Sequence, residues 1–172
     1  AEQVGYVNHT ARLVQMGSAN SSRGNVGVRI QGVDPAADTL VFDIHNKIVE
    51  GEYLPEFRRV PKAFIGLALA EELKLEVGST FTLKFQGVNG GFVEVRCKVG
   101  GLFRTVSSAF DKMNVFLPKD FMANNMGIAS DEAHEIVYKT TTKEAAIDWA
   151  NGLKQVTEGV EVESWKEVSP EL

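Results

Sequence analysis

Apolar and polar residues alternate along several stretches of this chain with the period of a half-buried strand. Val26, Val28 and Ile30 alternate with Gly27, Arg29 and Gln31. Phe81, Leu83 and Phe85 alternate with Thr80, Thr82 and Lys84, and Val93, Val95, Cys97 and Val99 with Glu94, Arg96 and Lys98. "QGVNGG" joins the last two runs, and its Asn89-Gly90 pair supplies the positive φ angles of a tight turn. The two runs therefore predict a β-hairpin with Cys97 as an inward, small apolar residue. Ahead of the hairpin the period changes. Ile65, Leu69 and Leu73 recur at every fourth position, which predicts a helix in the first half of Val60 to Leu83, with Gly78-Ser79 as the turn into the strand.

The last third predicts a β-α-β unit, such as half of a ferredoxin-like lobe. "HEIVYKT" has strand character, and Thr141-Thr142-Lys143-Glu144 fits a capping box that starts a helix. Ala146, Trp149, Ala150, Leu153 and Val156 form one apolar stripe, Gly159 closes the helix, and "VEVESW" predicts a returning strand. Elsewhere the pattern is irregular. "MGSANSSRGN", Met16 to Asn25, predicts a mobile loop, and Asp34-Pro35 marks a turn. "HNKIVEGEYLPEF" predicts a short helix or turn to Gly51, followed by a segment broken at Pro55. A loop is expected over Thr105 to Asp111, a short strand near Asn114 to Leu117, and a turn or helix from Pro118 through Phe121 and Met122.

A chain of 172 residues with 44% hydrophobic and 24% charged content is long and apolar enough to bury a core as one domain or two small lobes. Its net charge of −5, with 18 basic residues scattered among 23 acids, lacks the basic footprint that nucleic acid requires. The lone Cys97 excludes an intrachain disulfide. A membrane span needs about 20 apolar residues, and the longest apolar run, Ala63 to Ala70, is far shorter and contains Gly66. Ala1-Glu2-Gln3 has no leader character and reads as the continuation of a longer chain.

Candidate chemistry is sparse. His9, His45 and His134 share no metal-ligand spacing. Asp43-x-His45 places two polar residues on one strand face, as ligands, a relay pair, or plain surface groups. Ser107, Ser108 and Cys97 are the conceivable nucleophiles, but none sits in a Gly-x-Ser-x-Gly elbow or at a helix start that would activate a thiol. Glu71-Glu72 diverge on a helix, and Glu161 and Glu163 alternate with Val160 and Val162 as the wet face of a strand. Gly87, Gly90 and Gly91 belong to the hairpin, without the strand-to-helix context of a phosphate cradle. What stands out is apolar material in irregular segments: Phe110 and Met113 beside Asp111-Lys112, and Met122 and Met126 around "ANN". Such residues either cap a core or form an adaptable contact surface, with Phe110, Met113 and Met122 as the candidate partner contacts.

Taken in order, several segments resemble one family. They are "RLVQMGSANSSRGNVGVRIQGVDPAAD", "IVEGEYL", "AFIGLALAEELKLEVGSTFTL", "CKVGGLFRTVSSAFDKMNVFLP" and the closing "VEVESWKEVSPEL". Together they are similar to the MacB-like periplasmic core domain of ABC-transporter permeases of the MacB, LolC/LolE and FtsX type, with Ser79 where aspartate is usual. The resemblance implies an α+β fold of two lobes: a ferredoxin-like α/β porter lobe (1–54 and 118–172) and an inserted β-rich sabre lobe (55–117). It implies no catalytic residue and no cofactor. ATP hydrolysis would reside in a separate cytoplasmic subunit or domain, and flanking membrane helices would tether the domain on the periplasmic side of the bacterial inner membrane. The role implied is coupling of ATP-driven motion to export or release of substrate, as in lipoprotein release or efflux. The partners implied are the ATPase, a second permease protomer and a periplasmic adaptor or carrier. LolC-type members carry a long hook in the hairpin, and "QGVNGG" is too short for one. Two other readings stand beside it: a ligand- or glycan-binding module on the same fold, and a hydrolase using Asp43, His45 or Cys97.

Overall fold

Two long strands begin the fold in the structure, a computed structural model that describes residues 6–168. Strand β1 (Tyr6–Ser21) and strand β2 (Gly24–Val33) pair antiparallel from Arg12↔Val33 to Ser21↔Gly24. Only Ser22 and Arg23 turn the chain, so the mobile loop expected at Met16 to Asn25 is instead the tip of a hairpin. Its small and polar residues have packing reasons. A Cβ at Gly17 would overlap the carbonyl of Lys84 on a neighbouring strand, and Ala19 is fully buried. Asn20 Nδ2 donates to the Thr82 carbonyl at 3.3 Å, and Ser21 Oγ to the Leu73 carbonyl at 2.8 Å.

Helix α1 (Pro35–Val41) starts at Asp34, whose carboxylate accepts from the amides of Ala36 and Ala37, with proline at the first helical position. The helix or turn expected before Gly51 is a 3-10 turn over Ile44–Lys47, and it passes into strand β3 (Ile48–Gly51). Strand β4 (Lys62–Gly66) precedes helix α2 (Leu67–Leu73), which corrects the helix expected through Ile65. Ile65, Leu69 and Leu73 are all buried, but the first points inward from a strand; a spacing of four satisfies both periods. Gly78, at φ +90°, makes the turn into strand β5 (Thr80–Gln86), which pairs with strand β6 (Phe92–Phe103) as the predicted hairpin. In its loop the positive φ falls on Gly90 alone, at +77°, and Asn89 keeps a negative one.

Helix α3 (Ser108–Met113) occupies most of the expected loop, followed by strand β7 (Asn114–Pro118) and helix α4 (Lys119–Met126). Strand β8 (Glu135–Thr140) and helix α5 (Lys143–Val156) form as expected, although the cap is Thr142, which accepts from the Ala145 amide, rather than Thr141. The α5 stripe is buried only at Ala150, and Val156 is 76% exposed. The returning strand of "VEVESW" does not form. Residues 157–164 are irregular and pair with no strand, although β8 is paired along one edge only, and Trp165 opens a short helix, α6 (Trp165–Val168). The opening Ala1 to Gln3 and closing Pro170 to Leu172 lie outside the described residues. Among those described, no helix is long and apolar enough to cross a membrane.

The sheet closes on itself. Its path runs β2-β7-β4-β6-β5-β1, and the β1–β2 pairing joins the two ends. β1 achieves this by dividing one edge: Tyr6 to Arg12 pair with β8, while Gly17 to Asn20 pair with β5. β3 extends β6 beyond the end of β5. Inside the ring lie Leu13, Val28, Ile30, Ile65, Phe81, Leu83, Phe85, Cys97 and Leu117, closed by α2 and by Met122 of α4. A second apolar layer of Val33, Leu54, Phe64, Phe103 and Phe116 sits on the other face, under Ile44 and Tyr53. β4 and β7 are thus buried on both faces and lose the alternation seen elsewhere. Gly66 has no room for a side chain, because a Cβ there would overlap the backbone of Asp111 in α3. Gly66→Ala should lower stability by at least about 3 kcal/mol in urea unfolding, beyond the usual range for a surface substitution.

Candidate functional site

A chain of buried polar side chains crosses the closed sheet from α1 to α3. Arg12 of β1 makes a two-pronged ion pair with Asp38 of α1, Nε to Oδ1 and Nη2 to Oδ2, both at 2.8 Å. Arg12 Nη1 donates to Gln31 Oε1 at 2.8 Å, Gln31 Nε2 to Asn114 Oδ1 at 2.8 Å, and Asn114 Nδ2 to the Phe110 carbonyl at 3.0 Å. The guanidinium also lies 3.7 Å from the centre of the Phe42 ring. Every donor in this chain meets an acceptor, the condition under which buried polar groups are tolerated.

The chain ends beneath α3, whose outer side is apolar. Val106 is fully exposed, Met113 is 46% exposed and Phe110 is 37% exposed, with the Phe110 ring 6.1 Å from buried Phe103. Ile48 and Val49 of β3 continue the patch, since Ile48 pairs with Phe103 and the Arg104 amide donates to the Lys47 carbonyl. Three contacts fix the helix from outside: Asp111 accepts from the Thr105 amide and hydroxyl, Ser107 Oγ caps the Phe110 amide, and Lys112 pairs with Glu72 at 2.6 Å. Phe110 and Met113 therefore lie together on one surface, but Met122 does not. It is fully buried, and its sulfur would stand 2.9 Å from a Cβ added at Gly32. Its spacing of four from buried Met126 marks the inner face of α4, so the expectation of Met122 as a partner contact is corrected.

The catalytic candidates are not brought together. Asp43 accepts from Asn46 at 2.5 Å and faces Lys47 at 3.5 Å, and these partners hold its carboxyl below the usual range. His45 instead turns its ring to Tyr53, 6.0 Å away, with Nδ1 buried and unpartnered. Burial, with nearby Asp38, pushes the Tyr53 hydroxyl above its ordinary value. Burial alone pushes the Cys97 thiol up to about 12, which makes it inert rather than nucleophilic. His134 Nδ1 accepts from the Val14 amide at 2.9 Å, and Glu161 and Glu163 are exposed in the irregular segment. Two shallow clefts of about 280 and 290 Å³ open on the outer face of β4, β5 and β6.

A third feature is a clasp where the two ends of the described chain meet. Tyr6 pairs with Thr140 at the end of β8, and the Trp165 indole donates to the Lys143 carbonyl at 3.0 Å, three residues further on. The Lys143 ammonium stands 4.7 Å from the centre of the Trp165 ring. Lys154 of α5 pairs with Glu167 at 2.5 Å, and Glu167 also accepts from the amide and hydroxyl of Ser164. These partners draw the Glu167 carboxyl down from 4.5 to about 2. None of this was visible in sequence, because the Trp-x-Glu step looks like solvated surface until the fold places it on α5.

The family model described as the MacB-like periplasmic core domain matches residues 1–156. Two solved structures share the fold. The extracellular domain of the noncanonic ABC-type transporter YknZ from Gram-positive bacteria is 13% identical with a TM-score of 0.56, over 93% of this chain and 82% of that one. The periplasmic region of MacB from Actinobacillus actinomycetemcomitans is 13% identical with a TM-score of 0.57, over 90% of this chain and 69% of that one. No curated protein sequence matches this chain.

Two outcomes are expected. Asp38→Ala, which leaves the Arg12 charge buried without its partner, should destabilise the fold by about 3–5 kcal/mol in denaturant unfolding. The clasp should be intact above the ordinary glutamate range and lost as pH falls toward about 2, because the folded value of Glu167 is the lower one. Trp165 fluorescence in a Trp149→Phe background reads this, and Glu167→Gln should remove the pH dependence.

Proposed function

The chain belongs to the MacB-like periplasmic core domain family, and from that premise we propose that it is a stiff coupling element of an ABC-transporter permease. The family makes it a non-catalytic transporter domain on the extracytoplasmic side of the cell membrane, with the α+β, two-lobed fold of its structural neighbours. An ABC transporter implies an ATPase partner and a paired permease. In the proposed reading the ATPase is a cytoplasmic unit apart from this domain. Motion of flanking membrane helices enters through β1 and α6, and the apolar face of α3 presents it to a periplasmic partner. The transported step is export or release of substrate, as in efflux or lipoprotein release. The division into an inserted lobe (55–117) and a lobe from both ends (1–54, 118–172) belongs to the same proposal. The short Gly87 to Gly91 loop favours partners that need no hook.

The observation that carries this reading is the meeting of Tyr6 and Trp165 on the single β8–α5 unit. Two membrane helices continuing from those points would pull on one corner of the domain. From there β1 leads straight into the closed ring, so a displacement has a covalent and hydrogen-bonded route to α3. Trp165→Ala in the full-length permease should leave ATPase activity in place while export falls; full export would overturn the coupling role. Phe110→Asp and Met113→Asp should keep the melting temperature of the domain and weaken crosslinking to the periplasmic partner. Met122→Asp should unfold the domain, since it would bury a carboxylate without a partner.

A further inference from the structure

We propose that the cleft over the outer face of the β4–β6 pair binds a phosphate-class oxyanion through Lys62 and Lys98. The inference starts from a conflict in the sheet. Lys62 and Lys98 are direct cross-strand partners in the β4–β6 ladder. Like charges placed opposite each other destabilise a sheet. Both side chains point outward, since Ala63, Cys97 and Val99 on either side of them point into the core. Among the described residues neither lysine makes an ion pair, although the chain as a whole is acidic.

The surroundings are built to hold this arrangement. The ladder skips Gly100 as a bulge between the Ala63↔Val99 and Phe64↔Gly101 pairs. Bulges re-aim neighbouring side chains. A Cβ at Gly100 would lie 2.8 Å from Lys62 Cβ and 3.6 Å from its Cδ, so the Lys62 stem crosses the space that a side chain would fill. Both lysines line the 290 Å³ cleft, whose other walls are Gly51, Glu52, Val77, Gly78, Val99 and Gly100. Glu52 is the carboxylate among them, and it leaves the two ammoniums in excess. Arg96 stands two residues along β6 on the same face and lines the adjoining cleft with Thr80 and Thr82. In that cleft Glu94 is already engaged by Lys84 at 3.2 Å.

A tetrahedral oxyanion suits this site. Two lysines supply point charges without demanding a planar fork, which is how ammonium groups bind phosphate. The cleft is larger than a bare ion, so the group is carried on a small polar body: a soluble phosphate ester or a lipid headgroup. The inference does not depend on the coupling role, and transport data leave it untouched.

The test is a titration of the chain with inorganic phosphate at constant ionic strength, followed by amide ¹H–¹⁵N spectra and by melting temperature. Saturable shifts at Lys62, Gly78, Lys98 and Gly100 are expected, with a rise in melting temperature. Lys98→Thr should abolish both. It should also raise the melting temperature of the anion-free protein by a few degrees, because it removes the opposed charges. Lys84→Thr, on the same face outside the cleft, should bind as the parent does. Shifts that grow without saturation, that appear equally with chloride, or that survive Lys98→Thr would overturn the proposal. Sedimentation with phosphatidylglycerol vesicles, against phosphatidylcholine vesicles, distinguishes the sources. Co-sedimentation lost in Lys98→Thr assigns the phosphate to a lipid headgroup. Phosphate binding without vesicle binding assigns it to a soluble ester.

Discussion

The two-pronged Arg12–Asp38 pair is the contact on which the arrangement of this domain depends. Both side chains are almost wholly buried, and removing two charges from water is offset only when their geometry is good and their remaining polar atoms are satisfied. Here they are. Asp38 receives Arg12 with both oxygens, and the third guanidinium position is taken up by Gln31, then Asn114, then the backbone of α3. A fork of fixed geometry links α1, β1, β2, β7 and α3 through one run of hydrogen bonds. The apolar layer of Phe64, Phe103 and Phe116 then packs beside it, on the same side of the sheet.

Closure of the sheet has a related consequence. An open sheet of this size would leave two edges free to pair with other chains. Joining β1 to β2 consumes both, and what remains exposed is β3 and β8, each a short appended strand. Strain placed on any strand of the ring is shared with neighbours on both sides. The segment appended outside it, from β8 through α6, meets the ring through one ladder to β1 and the Arg29–Glu135 ion pair at 2.8 Å, and is braced within itself by the Tyr138–Trp149 ring contact and the Trp165 clasp. Every strand of the closed path is thus paired on both sides, whereas β8 is paired along one edge only.

The ring's strands were legible wherever one face was wet. β2, β5 and the outer half of β6 alternate cleanly because water sits on one side of them, and the β5–β6 hairpin followed directly. β4 and β7 were harder, because they are buried on both faces and present no alternation. Ile65 was drawn into the helix for that reason. The tip of β1 was hidden by Gly17, Ser18 and Asn20, residues that look like loop and are chosen for close approach to β5. "VEVESW" misled in the opposite sense: the alternation is real, but alternation alone does not pair a strand, and residues 157–164 join no ladder. The buried polar chain could not be read at all. Arg12, Gln31, Asp38 and Asn114 each look like solvated surface, and only the tertiary fold supplies their partners. On the surface itself, Phe110 and Met113 stand out among polar neighbours in the sequence, and the fold leaves both partly exposed. Met122 was misplaced because the same composition, at a spacing of four from Met126, also describes the inner face of a helix.

The opposed lysines sit where the ladder is paired on both sides. A cross-strand Lys–Lys pair is tolerable in a rigid ring, where many other ladder bonds fix β4 against β6 and the repulsion cannot open the strands. A site whose empty state is strained by like charge must sit on the part of the molecule that does not yield. Lys62 and Lys98 lie on such a part, with β5 paired along the other edge of β6 and the bulge at Gly100 holding the Lys62 stem in place. The apolar face of α3, proposed above as the partner contact, is anchored to the ring through Asn114 and Gly66, so a partner docking there would meet the position of the whole ring and not the fluctuation of a loop.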